Sequence, residues 1–272
     1  LTGYLERRYS VKNLRVYGKE PYSVAVIHGG PGAPGEVAPI ARELSSLCGI
    51  LEPLQTKDFV EGQVQELHDV LEKNGYLPVI LIGHSWGAWL SFLLTARYPS
   101  LVKKLILVGS GPFEEEYAIN LLGTRLLRLE EKERVEVLSL IETLDNPDTN
   151  DKDRLLARFG QLMSKADTYD SLSPYAVESL EVKYDINQKV WGEAEKLRHS
   201  GELLEFGKRI HCPVLAIHGD YDSHPSEGVI LPLSRTLKDF RFILLEKCGH
   251  YPWLERFARD KFYDILKSEI IN

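Results

Sequence analysis

Short apolar runs alternate with amphipathic stretches through the first 111 residues of the chain. "YSVAVIHGGPG" (22–32) begins as a valine-rich run and ends in glycine and proline, the pattern of a buried strand entering a tight loop. "GEVAPIARELSSL" (35–47) has helical spacing, and "GILEPLQ" (49–55) reads as a second short strand. "VEGQVQELHDVLEKNG" (60–75) places Val64, Leu67, Val70 and Leu71 on one helical face and closes on Gly75, a helix stop. "LPVILIGH" (77–84) is another buried strand, "WGAWLSFLLTARYP" (86–99) a helix apolar nearly all round, and "LVKKLILVGSG" (101–111) a further strand.

From Pro112 to Ile210 the alternation lapses. Charged amphipathic helices are predicted there, separated by turns at "DNPDTND" (145–151) and "DTYDSLSP" (167–174). Strand–loop–helix order resumes at "CPVLAIHGDYD" (212–222), followed by a helix near 226–237, the strand "FRFILLE" (240–246), the loop "KCGHYP" and a last helix over 253–270. Buried strands alternating with helices predict an α/β fold, a mostly parallel sheet with helices on both faces. The expected organisation is a core of 1–111 and 211–272, with 112–210 inserted as a helical cap.

Composition narrows the function classes. With 43% apolar and 27% charged residues the 272-residue chain is ordinary globular material. A formal charge of −7 and the lack of a basic stripe argue against a nucleic-acid partner. No run of about 18 apolar residues occurs, so no membrane span is expected. Cys48, Cys212 and Cys248 are odd in number and widely spaced, which suggests a reducing, cytoplasmic setting rather than a disulfide framework. Metal-type spacings such as C-x-x-C or H-E-x-x-H are missing, and neither a metal nor a cofactor is expected. The chain begins at Leu1 and its single methionine is Met163, so removal of the natural start is expected; "LTGYLERRYS" has no signal-peptide core.

Candidate chemistry gathers where strands end. Ser85 lies between the strand of 77–84 and the helix of 86–99, in "GHSWG". Gly83 and Gly87 let the backbone turn sharply there and leave the hydroxyl exposed, and Trp86 offers a backbone N–H at a helix start. "HGGPG" (28–32) ends an earlier strand, and Gly30 is the candidate for a second N–H aimed at the same point; His28 reads as structural. A serine nucleophile needs a base. His250 follows the last strand, whereas His68 and His199 sit on helices, and His211 and His218 flank or lie inside a strand. His84 should point away from the serine, and His224 is the rival base. "HGDYD" offers Asp220 and Asp222 as orienting acids, which spacing alone does not separate.

Together these segments resemble the α/β-hydrolase superfamily, whose order of nucleophile, acid and histidine is that of Ser85, the acid and His250. The resemblance spans the chain outside the cap. Its G-x-x-D pattern implies Asp222 as the acid, with Asp220 as fallback. "HGGPG", "GHSWG" and "HGDYD" are similar to the proline iminopeptidase branch, which implies removal of an N-terminal residue from short peptides by a serine hydrolase without cofactor. In that branch acidic cap residues hold the substrate ammonium. Candidates here are Glu114, Glu115, Glu116, Glu178, Glu181, Glu193 and Glu195. The chain departs from the branch at "LEPLQTKDFVEGQ", where a D-Q-R-G-like stretch is usual. Dehalogenase-like and epoxide-hydrolase-like relatives use an aspartate where Ser85 stands. A carboxylesterase and a non-catalytic binder of small molecules are the alternative readings; the oligomeric state stays open.

Overall fold

A computed structural model describes residues 13–172 and 181–272. The described strands are β1 (Leu14–Tyr17), β2 (Tyr22–Ile27), β3 (Gly49–Pro53), β4 (Val79–His84), β5 (Val102–Val108), β6 (Val214–Gly219) and β7 (Phe240–Leu245). They form one sheet in the order β1-β3-β2-β4-β5-β6-β7. Only β1 runs antiparallel to its neighbour. This edge strand of four residues was not anticipated from the sequence, because so short a run carries little periodicity.

Alternate residues of the central strands face opposite sides of the sheet, as a period of two requires. Val24, Val26, Ile80, Ile82, Ile106, Val108, Leu215 and Ile217 pack against helices α1 (Ala38–Leu44) and α10 (Arg259–Ile271). Ala25, Ile27, Val79, Leu81, Leu105, Leu107, Val214 and Ala216 pack against α2 (Val60–Asn74), α3 (Trp86–Arg97) and α9 (Glu227–Thr236). Both faces are thus covered, and each large aliphatic side chain fully buried there contributes about 1.5–3 kcal/mol.

Between β5 and β6 lie α4 (Leu121–Leu127), α5 (Glu131–Asp145), α6 (Lys152–Ala166), α7 (Tyr184–His199) and the short α8 (Glu202–Glu205). This helical block is not uniform. Val190 and Ala194 of α7 join the apolar cluster on one sheet face. The α5–α6 pair has a small core of its own around Val137, Leu140, Leu162 and Met163.

The last helix starts later than its apolar pattern predicts. Pro252–Leu254 form a 3-10 turn, Glu255 is extended, and α10 begins only at Arg259. The reason is the Glu255 carboxylate, which accepts hydrogen bonds from the N–H groups of Gly249, Tyr169 and Asp170 and so pins the chain in a non-helical course.

The sheet connectivity positions the site. From β2 the chain steps to β3 on one side, then returns to place β4 on the other. Open α/β sheets bind ligands at such a reversal, beyond the carboxyl ends of the strands.

Candidate active site

Strand register levels the four loops that carry the candidate residues. Ile27 pairs with Gly83, His84 with Val108, and Gly219 with Leu245, so β2, β4, β6 and β7 all release their loops at the same edge. The Ser85 N–H still donates to Val108 O (3.0 Å), after which the chain turns abruptly into α3.

That turn forces Ser85 to φ 53°, ψ −117°, a conformation that a non-glycine residue rarely holds. It exists because its flanks have no side chains. A Cβ on Gly83 would lie 2.2 Å from Gly87 O, and one on Gly87 would lie 2.4 Å from Ile27 O. The hydroxyl-bearing residue is half-buried while its neighbours His84 and Trp86 are buried. The Trp86 indole donates to Gln63 Oε1 (2.9 Å) and packs edge-on against Trp191 of α7, so its ring is wall rather than chemistry.

Two backbone donors are left over at this edge. Gly30 adopts φ 40°, and its carbonyl, not its N–H, closes the loop by accepting from Ala33 N (2.8 Å). Among the described residues neither Gly30 N–H nor Trp86 N–H donates to another group. The Gly29 N–H is committed to Glu36 Oε1 (2.6 Å).

Asp222 and His250 meet directly. His250 Nδ1 lies 2.7 Å from Asp222 Oδ2, and both side chains are almost fully buried. Burial pushes the Asp222 carboxyl up, but His250, His224 and His218 around it outweigh that and hold it well below the usual carboxylate range. Asp220 does not share this position: it is exposed, and its carboxylate accepts from Cys248 N (3.1 Å). No hydrogen bond joins Ser85 Oγ to His250 among the described residues. The residue before Ser85, His84, reaches the His250 loop instead, with its Nε2 2.9 Å from His250 O.

Three further histidines lie around this edge. His28 is buried, with Nδ1 on Gly29 O and Nε2 accepting from Gln55 N. His84 turns away from the serine and meets Glu36 Oε1 through Nδ1 (2.5 Å). His224, the rival base, uses its Nδ1 on Asp222 Oδ1 (2.8 Å). Asp222, His224 and His250 bring three ligand-type atoms within 4.8 Å of one another. Both Nδ1 atoms face Asp222 oxygens at hydrogen-bond length, and the Arg125 guanidinium adjoins His224, so the donor set suits protons better than a metal ion.

Several contributors escaped sequence reasoning. Glu36 and Glu255 are buried carboxylates that hold the two site loops through backbone N–H groups, and neither sits in a motif. Arg125 of α4 pairs with Asp167 (2.7 Å), and Asp167 O accepts from His250 N (2.8 Å). The acidic candidates of the block are engaged elsewhere or face solvent. Glu114 pairs with Arg235, Glu115 with Arg198 and Glu181 with Lys183, while Glu193 accepts from Val60 N. Glu116 and Glu195 are exposed, and Glu178 lies outside the described residues. A groove of about 600 Å³ lined by Lys57, Phe59, Gln65 and Lys73 among others includes no residue of this edge.

A family model described as alpha/beta hydrolase fold matches residues 55–257. The chain belongs to the α/β-hydrolase fold family. Among curated relatives of this α/β-hydrolase, proline iminopeptidase of Heyndrickxia coagulans is 26% identical over 260 residues, 85% of each chain. Epoxide hydrolase 4 of Mus musculus is 36% identical over 46 residues; that match covers 17% of this chain and only 13% of the relative's length. The crystal structure of VinJ shares the fold with a TM-score of 0.67 at 17% identity, covering 95% of this chain and 94% of that one. No helix of the described α/β-hydrolase chain is long and apolar enough to cross a membrane.

Proposed function

We propose that this α/β-hydrolase is a serine hydrolase that cleaves a small ester or amide through an acyl-enzyme. The observation that carries the reading is the buried 2.7 Å Asp222–His250 pair on the same sheet edge as a serine held at φ 53°. Ser85 Oγ attacks the carbonyl carbon while His250 Nε2 accepts its proton. Asp222, on Nδ1, fixes the tautomer that leaves Nε2 free to do so and stabilises the imidazolium that forms. The uncommitted N–H groups of Gly30 and Trp86 receive the developing oxyanion, and each such donor lowers the barrier by roughly 3–4 kcal/mol. His250 then protonates the leaving group, and water, deprotonated by the same ring, releases the acyl group. The chemistry calls for neither metal nor cofactor. The short Ser85–His250 hydrogen bond forms as substrate closes the site, as is usual for such pairs.

The block of 112–210 acts as the cap over a core of 1–111 and 211–272, with Trp191 against Trp86 and Trp89 forming part of the pocket wall. Such a roof restricts the substrate to small molecules or short peptides. An esterase reading is favoured over an aminopeptidase by the pairing of Glu114, Glu115 and Glu181 with Arg235, Arg198 and Lys183, which offsets the charge of those three carboxylates; Glu193, which accepts from the Val60 N–H, keeps its charge.

A fluorophosphonate probe tests the assignment. Ser85→Ala should abolish covalent labelling, with the fold checked by circular dichroism. Undiminished labelling in that variant would overturn it. Initial rates on p-nitrophenyl acetate against proline-, alanine- and leucine-naphthylamides then separate esterase from aminopeptidase.

A further inference from the structure

We propose that His224 and Arg125 form a positioning arm for Asp222, through which the helical block holds this acid in line with His250. The inference builds on the roles proposed above for Ser85, His250 and Asp222.

The two oxygens of Asp222 face two histidines at hydrogen-bond length, with His218 Nε2 a third neighbour 3.6 Å from Oδ2. Oδ2 faces His250 Nδ1 (2.7 Å), while Oδ1 accepts from both the His224 N–H (3.0 Å) and His224 Nδ1 (2.8 Å). The terminal torsion of an aspartate is soft, so a carboxylate held at one oxygen swings about its axis. Contacts on both oxygens fix its plane. The His224 ring also packs on the His250 ring, with centroids 4.7 Å apart and planes inclined by 34°.

Which ring nitrogen of His224 carries the proton is decided on its other side. Arg125 Nη2 lies 3.5 Å from His224 Nε2. A guanidinium offers only donors, so Nε2 presents its lone pair and the proton stays on Nδ1, facing Asp222. Arg125 is itself anchored: its Nε donates to Asp167 Oδ1 (3.1 Å) and Oδ2 (2.8 Å). Asp167 closes the circuit, because its carbonyl accepts the His250 N–H (2.8 Å). The side chains of Asp222 and Asp167 are 0% and 3% exposed, so these hydrogen bonds lie where water competes weakly. Arg125 thus reaches the acid only through His224, while the Asp167 backbone carbonyl holds the His250 loop without needing the Arg125 side chain.

The groups that face this arm are few. His224 sees Asp222, His250 and Arg125, and its carbonyl accepts from His218 Nε2 (2.8 Å). His250 sees Asp222, His224, Tyr251 and His84, with Glu36 behind His84.

The test measures the second-order rate of fluorophosphonate labelling between pH 5 and 9 in the full chain. His224→Phe keeps the ring stack but removes the donor, and labelling should slow about tenfold. With Asp222 less shared, it draws the His250 proton more strongly, so the acid limb of the rate profile should move to higher pH. His224→Asn restores a donor at the Nδ1 position and should label within about threefold of the wild-type rate. Arg125→Gln should slow labelling several-fold, and Arg125→Gln/His224→Phe should be no slower than His224→Phe alone, because the arginine acts through the histidine. Wild-type rate and profile in His224→Phe, no rescue by His224→Asn, or additive losses in the double variant would each overturn the arm. If His224→Phe does not fold, a wild-type labelling rate in Arg125→Gln overturns it instead. Ser85→Ala keeps the two claims apart. Labelling of that variant sinks the hydrolase reading, whereas its silence combined with inert His224 and Arg125 variants sinks only the arm.

Discussion

The sheet core and the helical block contribute to the same edge by different physics. The core supplies Ser85, Gly30, Asp222 and His250 from loops whose backbone is clamped by parallel register and by glycines with no room for a Cβ. The block supplies Arg125 from α4 and Asp167 from the end of α6, in helices that are mostly half-exposed and share only a small apolar cluster, and Trp191 from α7, which packs on the sheet-face cluster. Position in the core is set by close packing, where a shift of a few tenths of an ångström meets backbone. In the block it is set by apolar packing of α7 on the sheet-face cluster and, for α4 to α6, by polar contacts to the core. Close packing against backbone is therefore concentrated at the sheet edge that carries Ser85, Asp222 and His250.

The contrast breaks first at Gly87. A methyl group there would sit 2.4 Å from Ile27 O and 2.5 Å from His28 O, both backbone atoms of the neighbouring strand and its loop. Neither can move without parting β2 from β4. Gly87→Ala should cost more than about 4 kcal/mol, the range reserved for severe core disruption. Urea denaturation of any soluble fraction measures the loss, and fluorophosphonate labelling should vanish with it.

A smaller effect is expected where the two regions are riveted. Glu255 is fully buried, and its carboxylate accepts from Gly249 N beside the His250 loop and from Tyr169 N and Asp170 N of the block, each at 2.8 Å. Glu255→Gln keeps the shape but turns an NH₂ group toward at least one N–H, a loss of about 1–3 kcal/mol for a buried donor left unpaired. Thermal unfolding should shift down accordingly. Labelling should weaken as well, since the same carboxylate steadies the loop that carries His250. A variant that loses stability but labels at the wild-type rate would show that the rivet serves the fold alone.

What could be read from the sequence follows the same division. The parallel sheet was legible because its strands are short, apolar and bounded by glycine, and the motifs placed Ser85, His250 and the pair Asp220 and Asp222 at strand ends, the resemblance to α/β-hydrolases alone choosing Asp222. Local turn chemistry carries that information within a few residues. The contacts around Asp222 were not legible beyond its own loop. His224 follows it by two positions, in the spacing of an Asx-type turn whose N–H caps the aspartate, so a signal was present in "DSHP". Arg125 and His224 are 99 positions apart, and nothing in "TRLLRLEEK" marks Arg125 over Arg128. The late start of α10 was hidden for a related reason, since the periodicity of 253–258 is helical but Glu255 is recruited by backbone donors 85 and 86 positions away.

The gentlest test makes the same chemical change as the harshest, in the other region. Gly160 lies inside α6, and a Cβ built there meets nothing within 4 Å. Its backbone is ordinary right-handed helix, so the residue brings only the entropic cost of a glycine that must be ordered on folding. Gly160→Ala should therefore stabilise the protein by about 0.5–1 kcal/mol, the difference in helix propensity between the two residues. Differential scanning calorimetry would register this as a rise of about 1–4 °C for a domain of this size. Labelling of Ser85 should not change. Where Gly87→Ala drives a methyl into backbone, Gly160→Ala places one in open space, and opposite signs for one substitution are what the contrast between a clamped core and a loosely packed block demands. A destabilised Gly160→Ala variant would mean that α6 is covered on that side, and that the block is built more like the core than its exposed surfaces indicate.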